Sequence, residues 1–160
     1  MVKEWSVFKL SRLKVILAIV ALMFPLAGCV TGTAQLQVSP LTESEVRVFT
    51  DPITENILQA MNTGNYTQYT RDFDKSLKDN LPQNIFDKAN SARIETVGTY
   101  VSKEHWRMSQ KGDKITVAYR AEFTYEPAGV IVTVYFKNIS GKWYVDGLLF
   151  YSPLMQSSDC

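Results

Sequence analysis

From Glu43 onward, apolar residues recur at helical spacing. Val46, Phe49, Ile53, Ile57 and Met61 fall three or four apart and line one face of a helix. Pro52 leaves two arrangements open. Asp51 can cap a helix with Pro52 in its first turn, or one longer helix bends at the proline. Gly64 is suited to end the segment. Asn65 can cap a second helix with Tyr66, Tyr69, Phe73 and Leu77 on its apolar side, while Arg71, Asp72, Asp74, Lys75, Lys78 and Asp79 face water. A third, short helix is expected to open at Pro82 and bury Ile85, Phe86 and Ala89.

After Ser91 the period becomes two. Ile94 to Met108 reads as an irregular strand, and Lys111-Gly112-Asp113 turns it into a regular one, Lys114 to Glu126. There Ile115, Val117, Tyr119, Ala121, Phe123 and Tyr125 alternate with Thr116, Ala118, Arg120, Glu122, Thr124 and Glu126. Pro127, Ala128 and Gly129 break the run. Val130 to Lys137 follows, apolar on both faces, then a turn at Asn138-Ile139-Ser140-Gly141. Lys142 to Tyr151 is the last strand, with Trp143, Val145, Leu149 and Tyr151 on one side. Helices followed by strands predict an α+β domain: three helices packed on one face of a curved four-stranded antiparallel sheet. Ile131, Thr133 and Tyr135, with Tyr144, Leu148 and Phe150, fall opposite the expected core faces. A sheet apolar on both sides should not meet water over a large area, so the outer face is a candidate surface for a homodimer or a protein partner.

The first residues follow another pattern. Lys3, Lys9, Arg12 and Lys14 precede Val15–Leu26, a run of 12 residues without a charge. That is short of the roughly 20 residues a membrane-spanning helix needs. A basic stretch, a short apolar stretch and small residues form an export-signal pattern. Leu26-Ala27-Gly28-Cys29 resembles the lipobox of prokaryotic lipoproteins, which implies cleavage before Cys29 and a diacylglyceryl group on its sulfur. Two acyl chains anchor far more durably than one. The same resemblance implies, from Val30 in place of an acidic residue, an outer membrane where the source has one; otherwise the expected location is the outer face of the cell membrane. The expected organisation is a cleaved signal (1–28), a lipidated cysteine with a flexible tether (29–42), one α+β domain (43–153) and a disordered tail (154–160).

Cleavage changes the charge picture. The mature chain keeps 13 basic and 15 acidic residues, a net charge of −2, which gives no electrostatic footprint for nucleic acid. With Cys29 lipidated, Cys160 is the one free thiol, so no internal disulfide is expected.

The order of elements, with Asn62-Thr63-Gly64-Asn65-Tyr66 leading into Phe73 and Leu77, and Gly141-Lys142-Trp143-Tyr144-Val145-Asp146-Gly147-Leu148 near the end, resembles the nuclear-transport-factor-2-like (cystatin-like) superfamily. Within it the chain is most similar to small extracytoplasmic lipoprotein domains of unknown function. The resemblance spans roughly residues 44–152. It implies a curved sheet wrapped around helices into a cone that often encloses a pocket. Some members place acids and bases there; others bind ligands or dimerise through the outer sheet face. Fold alone does not choose among these.

Little chemistry declares itself. His105 is the chain's one histidine, and its neighbour Glu104 points to the opposite face of a strand. A surface or rim position is expected for it. Neither a metal site nor any other cofactor is expected, because one histidine and no cysteine pair leave only carboxylates. Arg120 and Glu122 share one strand face and read as a solvated or cross-strand pair, or as polar groups at the cone mouth. Asp146 reads as an edge carboxylate before Gly147. Cys29 is thus the lipidation site, and Arg120, Glu122, Asp146 and His105 are candidate pocket or rim residues, with no catalytic constellation among them. Asn65-Tyr66-Thr67 and Asn138-Ile139-Ser140 match the glycosylation sequon by chance composition. The abundance of inward Tyr and Phe predicts a filled cone. The favoured function is a non-enzymatic module, tethered to a membrane, that binds a ligand or protein. The alternatives are a pocket enzyme using Asp146 or Glu122 as base, and a structural envelope protein.

Overall fold

In the computed structural model of the chain, the described residues are 40–152 and 155. The expected leader, Cys29, residues 30–39 of the tether, Cys160 and most of the expected tail lie outside them. Among the described residues, no helix is long and apolar enough to cross a membrane.

Helix α1 spans Glu43–Thr63, with Pro52 inside it. Of the two arrangements open at Pro52, the single helix is the one formed. Pro52 and Val48 both lie on the exposed side, where water can satisfy the carbonyl that the proline ring leaves without a donor. A capping box starts the helix: the Thr42 hydroxyl accepts from the Glu45 N–H, and the Glu45 carboxylate accepts from the Thr42 N–H at 2.8 Å. Gly64, at φ 66°, ends it in the left-handed conformation.

The expected second helix is split. Helix α2 is Tyr66–Tyr69, capped by Asn65, and α3 is Lys75–Asn80, capped by Asp74. Between them Phe73 forms a parallel bridge with Val145. The Asp74 N–H donates to the Val145 carbonyl and the Val145 N–H to the Asp72 carbonyl, each at 2.8 Å. Those sheet-like bonds compete with helix and win, because they tie a buried aromatic to the last strand.

Helix α4, Gln83–Val97, is also longer than expected and includes Ile94, which the alternating pattern had placed in a strand. Its buried positions are Phe86, Asn90, Arg93 and Val97, a helical stripe in which two members are polar. Phe86 is buried as expected; Ile85 and Ala89 are exposed.

Four strands follow: β1 Tyr100–Lys111, β2 Lys114–Phe123, β3 Glu126–Ile139 and β4 Lys142–Tyr151. They form a curved antiparallel meander in the order β1-β2-β3-β4. The β2–β3 turn falls at Thr124-Tyr125 and not at Pro127–Gly129. Here the Thr124 N–H donates to the Thr99 carbonyl and the Tyr125 N–H to the Val97 carbonyl. Gly98 permits this approach: a Cβ there would stand 2.0 Å from the Thr124 hydroxyl, and its φ is +83°. Pro127 falls in the irregular stretch of β3 where the register shifts between Ala121 and Phe123, a tolerated place for a residue without an N–H.

A second shift corrects the face assignment of β4. Phe136 pairs with Val145 and Tyr135 with Gly147, which leaves Asp146 as the extra residue of a bulge. Trp143 and Val145 point inward before it, Leu148 and Phe150 after it. Leu149 and Tyr151, expected on the core side, are exposed. The core lies between the sheet's inner face and α1, around Ile57, Leu58, Val117, Tyr119, Val132, Val134 and Phe136.

Candidate ligand-binding site

The inner face is not completely filled. A cavity of about 320 Å³ remains between β4 and the helices. Met61 of α1, Tyr69 of α2, Phe73, Leu77 and Asn80 of α3, and Leu81 form part of its wall. Phe86, Ala89, Asn90 and Arg93 of α4, Leu148 and Phe150 of β4, and Met155 complete it. The volume falls in the low range of small-molecule sites, and the lining is mostly apolar with a few polar groups, as such sites are. The aromatic residues expected to fill the cone therefore line a space within it.

Local structure explains the wall. The break between α2 and α3 turns Tyr69 and Phe73 toward each other at a ring separation of 5.0 Å, and Tyr69 meets Phe86 at 4.6 Å. The Asp146 bulge turns Leu148 and Phe150 inward. Exposed Asn80 and Ala89 mark the cavity's mouth.

Arg93 and Asn90 supply the polarity. Arg93 is 3% exposed. Its Nε and Nη2 donate to Asn90 Oδ1 at 3.2 and 3.1 Å, and Nη1 donates to the Gly98 carbonyl at 2.7 Å. The guanidinium also lies over the Phe123 ring, 5.4 Å from its centroid. Asn90 in turn donates to the Met61 carbonyl at 2.8 Å. Among the described residues no carboxylate pairs with Arg93. Burial pushes the guanidinium below its ordinary pKa, an effect that Tyr69 opposes. Burial likewise pushes the Tyr69 phenol up to about 12, against the pull of Arg93. At neutral pH the cavity presents a neutral phenol and a cation.

The residues singled out from sequence lie elsewhere. Arg120 and Glu122 share the outer face of β2, both exposed; Glu122 accepts from the Ser102 hydroxyl at 3.1 Å, and Arg120 packs beside Gly129. Asp146, in the bulge, pairs with Lys114 at 3.2 Å. None of these lines the cavity.

His105, a candidate pocket or rim residue, borders a separate recess beside the first turns of α1. It points inward on β1, its side chain is 8% exposed, and Nδ1 lies 3.3 Å from the Glu43 carboxylate. Its acid partner is thus Glu43 at the start of α1, not Glu104. Its ring meets Tyr119 edge-on, and Nε2 is buried without a partner. With Arg47, Asp51, Lys103, Glu104 and Tyr119 it lines a polar cleft of about 380 Å³. Tyr119 donates to Asp51 at 2.9 Å, and burial foremost raises its phenol well above the ordinary value. Among the described residues no group of three or more His, Cys, Asp or Glu side chains could hold a metal ion.

Comparison with known proteins adds a family. The model of a family described as "Protein of unknown function (DUF3887)" matches residues 54–140, just over half of the chain. No curated protein matches the sequence. The chain is similar to a solved SEC-C motif containing protein from Rhodopseudomonas palustris: 16% identity over 64% of this chain and 79% of that one, TM-score 0.48. It is also similar to an NTF-2 like protein of unknown function from Silicibacter pomeroyi DSS-3, at 12% identity, 69% and 98% coverage and TM-score 0.48. A third is an NTF2-like protein of unknown function from Shewanella baltica, at 11% identity, 70% and 97% coverage and TM-score 0.44.

Proposed function

We propose that this chain, which belongs to the DUF3887 family of proteins of unknown function, is an extracytoplasmic lipoprotein whose domain binds a small molecule with a largely apolar body, without transforming it. One observation carries the binding role: the cavity of about 320 Å³, walled by apolar side chains and closed at its polar side by Arg93 and Asn90. The lipobox-like Leu26-Ala27-Gly28-Cys29 supports the anchor. The enzyme alternative assigned the base to Asp146 or Glu122, and neither borders the cavity.

The test uses the full-length chain with a neutral solvatochromic dye. Saturable binding is expected, and Ala89→Trp, at the exposed mouth, should abolish it while leaving the unfolding midpoint in place. Dye binding unaffected by Ala89→Trp would remove the cavity from the account. For the anchor, Cys29→Ala should release the protein from the membrane fraction or block maturation; normal processing and retention would overturn it.

A second reading concerns the outer sheet face, where Ala118, Thr133, Tyr135 and Leu149 border a groove of about 450 Å³. Lys111, Lys114 and Lys137 lie toward one end of that face, with Lys114 paired to Asp146, and Glu104, Arg120 and Glu122 toward the other. Tyr135 and Leu149 are exposed on this face, so a second copy of the chain is the partner proposed for it. Sedimentation of the intact protein should show a dimer at high micromolar concentration; a monomer there would exclude it.

A further inference from the structure

Building on the binding reading above, we infer that the cavity's ligand is an amphiphilic monocarboxylate, with its apolar body against Phe73, Phe86, Leu148 and Phe150 and its carboxylate paired with Arg93. The argument starts from the cost of the cation. A buried charge is strongly unfavourable unless it is paired. An arginine cannot escape by losing its proton. Yet the acceptors around Arg93 are neutral: Asn90 Oδ1 and the Gly98 carbonyl. They orient the guanidinium without neutralising it, and its fork carries more N–H groups than these bonds occupy. Tyr69, still protonated at neutral pH, adds a second donor to the same wall.

Charge selects the class of head group. One guanidinium balances one negative charge. A carboxylate supplies that charge in a planar form that matches the fork, whereas a phosphate monoester brings about twice as much. The remaining wall selects an apolar body, since Asn80, Asn90, Arg93 and Tyr69 are its polar members. A free sugar, a nucleotide or a peptide backbone would leave most of its polar groups unpaired against Met61, Leu77 and Leu81.

The test compares decanoate with decanol by titration calorimetry on the full-length chain in lipid nanodiscs, with empty nanodiscs subtracted. At neutral pH decanoate should bind at least about tenfold more tightly than decanol, the scale of one charge-assisted hydrogen-bonded pair. Arg93→Gln should bring decanoate down to the affinity decanol has for the same variant. Lowering the pH until decanoate is protonated should abolish its advantage on the unsubstituted protein, which keeps the test decisive if Arg93→Gln fails to fold. Equal affinities for decanoate and decanol would overturn the carboxylate pairing while leaving the cavity's binding role intact. Binding of neither would defeat the binding role itself.

Discussion

Two recesses of similar volume lie on opposite flanks of the sheet's inner side, about 320 Å³ between β4 and α2–α4 and about 380 Å³ between β1–β2 and α1. They resolve their charges differently. In the second, the fold supplies partners for most polar groups: Arg47 with Asp51 at 3.0 Å, Lys103 with Glu55 at 3.0 Å, and His105 Nδ1 with the Glu43 carboxylate at 3.3 Å, while His105 Nε2 has none. In the first, a deeper cation faces only neutral oxygens. The ion pairs of the polar cleft tie α1 to β1 and are made within the fold. The proposed ligand site is the recess whose buried cation meets neutral oxygens and apolar walls. Volume alone would not separate the two.

The contrast can be broken by substitution. Phe86→Ala should cost the most, about 3–5 kcal/mol, because it removes a buried aromatic from a wall with space already beside it. Chemical denaturation reads this directly; a cost below ~1 kcal/mol would mean the wall is not packed as described. Asn90→Ala comes next, at about 1–3 kcal/mol, since it strips acceptors from Arg93 and the donor from the Met61 carbonyl together. In the polar cleft, Tyr119→Phe should cost about 1 kcal/mol by deleting the bond to Asp51. If it proves more damaging than Asn90→Ala, the cleft holds more of the stability than its paired charges suggest.

The smallest effect depends on pH. Burial raises the Glu55 pKa, but hydrogen bonds from Lys103, Tyr100 and Gln59 outweigh it and leave the carboxyl below its ordinary value. A carboxyl lowered in the folded state stabilises above its unfolded pKa, and that contribution fades as pH falls through the folded one. Glu55→Gln should therefore flatten the acid limb of the stability curve by a few tenths of a kcal/mol below pH ~4, as befits a partly exposed pair. Denaturation midpoints across that range would show it; an unchanged limb would place the acid sensitivity elsewhere.

What was legible in the sequence follows the same division. Helix α1 and strand β2 declared themselves through apolar residues at clean periods, Val46 through Met61 and Ile115 through Phe123, even though Thr50 and Thr54 also lie buried on α1. Helix α4 did not, since Asn90 and Arg93 occupy its buried stripe and a periodicity count scores them as solvent-facing. The inward turn of Leu148 and Phe150 depends on one bulged residue, Asp146, and a single added residue reverses every later side chain. The pairing of His105 with Glu43 joins β1 to the first turn of α1, and nothing local to either marks it. The cavity was hidden for these reasons together: two polar residues in a core stripe, a helix broken at Phe73, and a strand that changes face. A buried arginine spaced i, i+3 from an asparagine, beside Phe86 and Val97, was the one trace available.

The most direct measurement follows the methionine methyl groups of the intact protein by NMR during titration with decanol. Met61 and Met155 stand in the cavity wall, and Met108, on β1, does not. Occupancy of the cavity should shift Met61 and Met155 saturably while Met108 stays in place. Uniform shifts in all three, or none at Met61 and Met155, would contradict a ligand site between β4 and the helices.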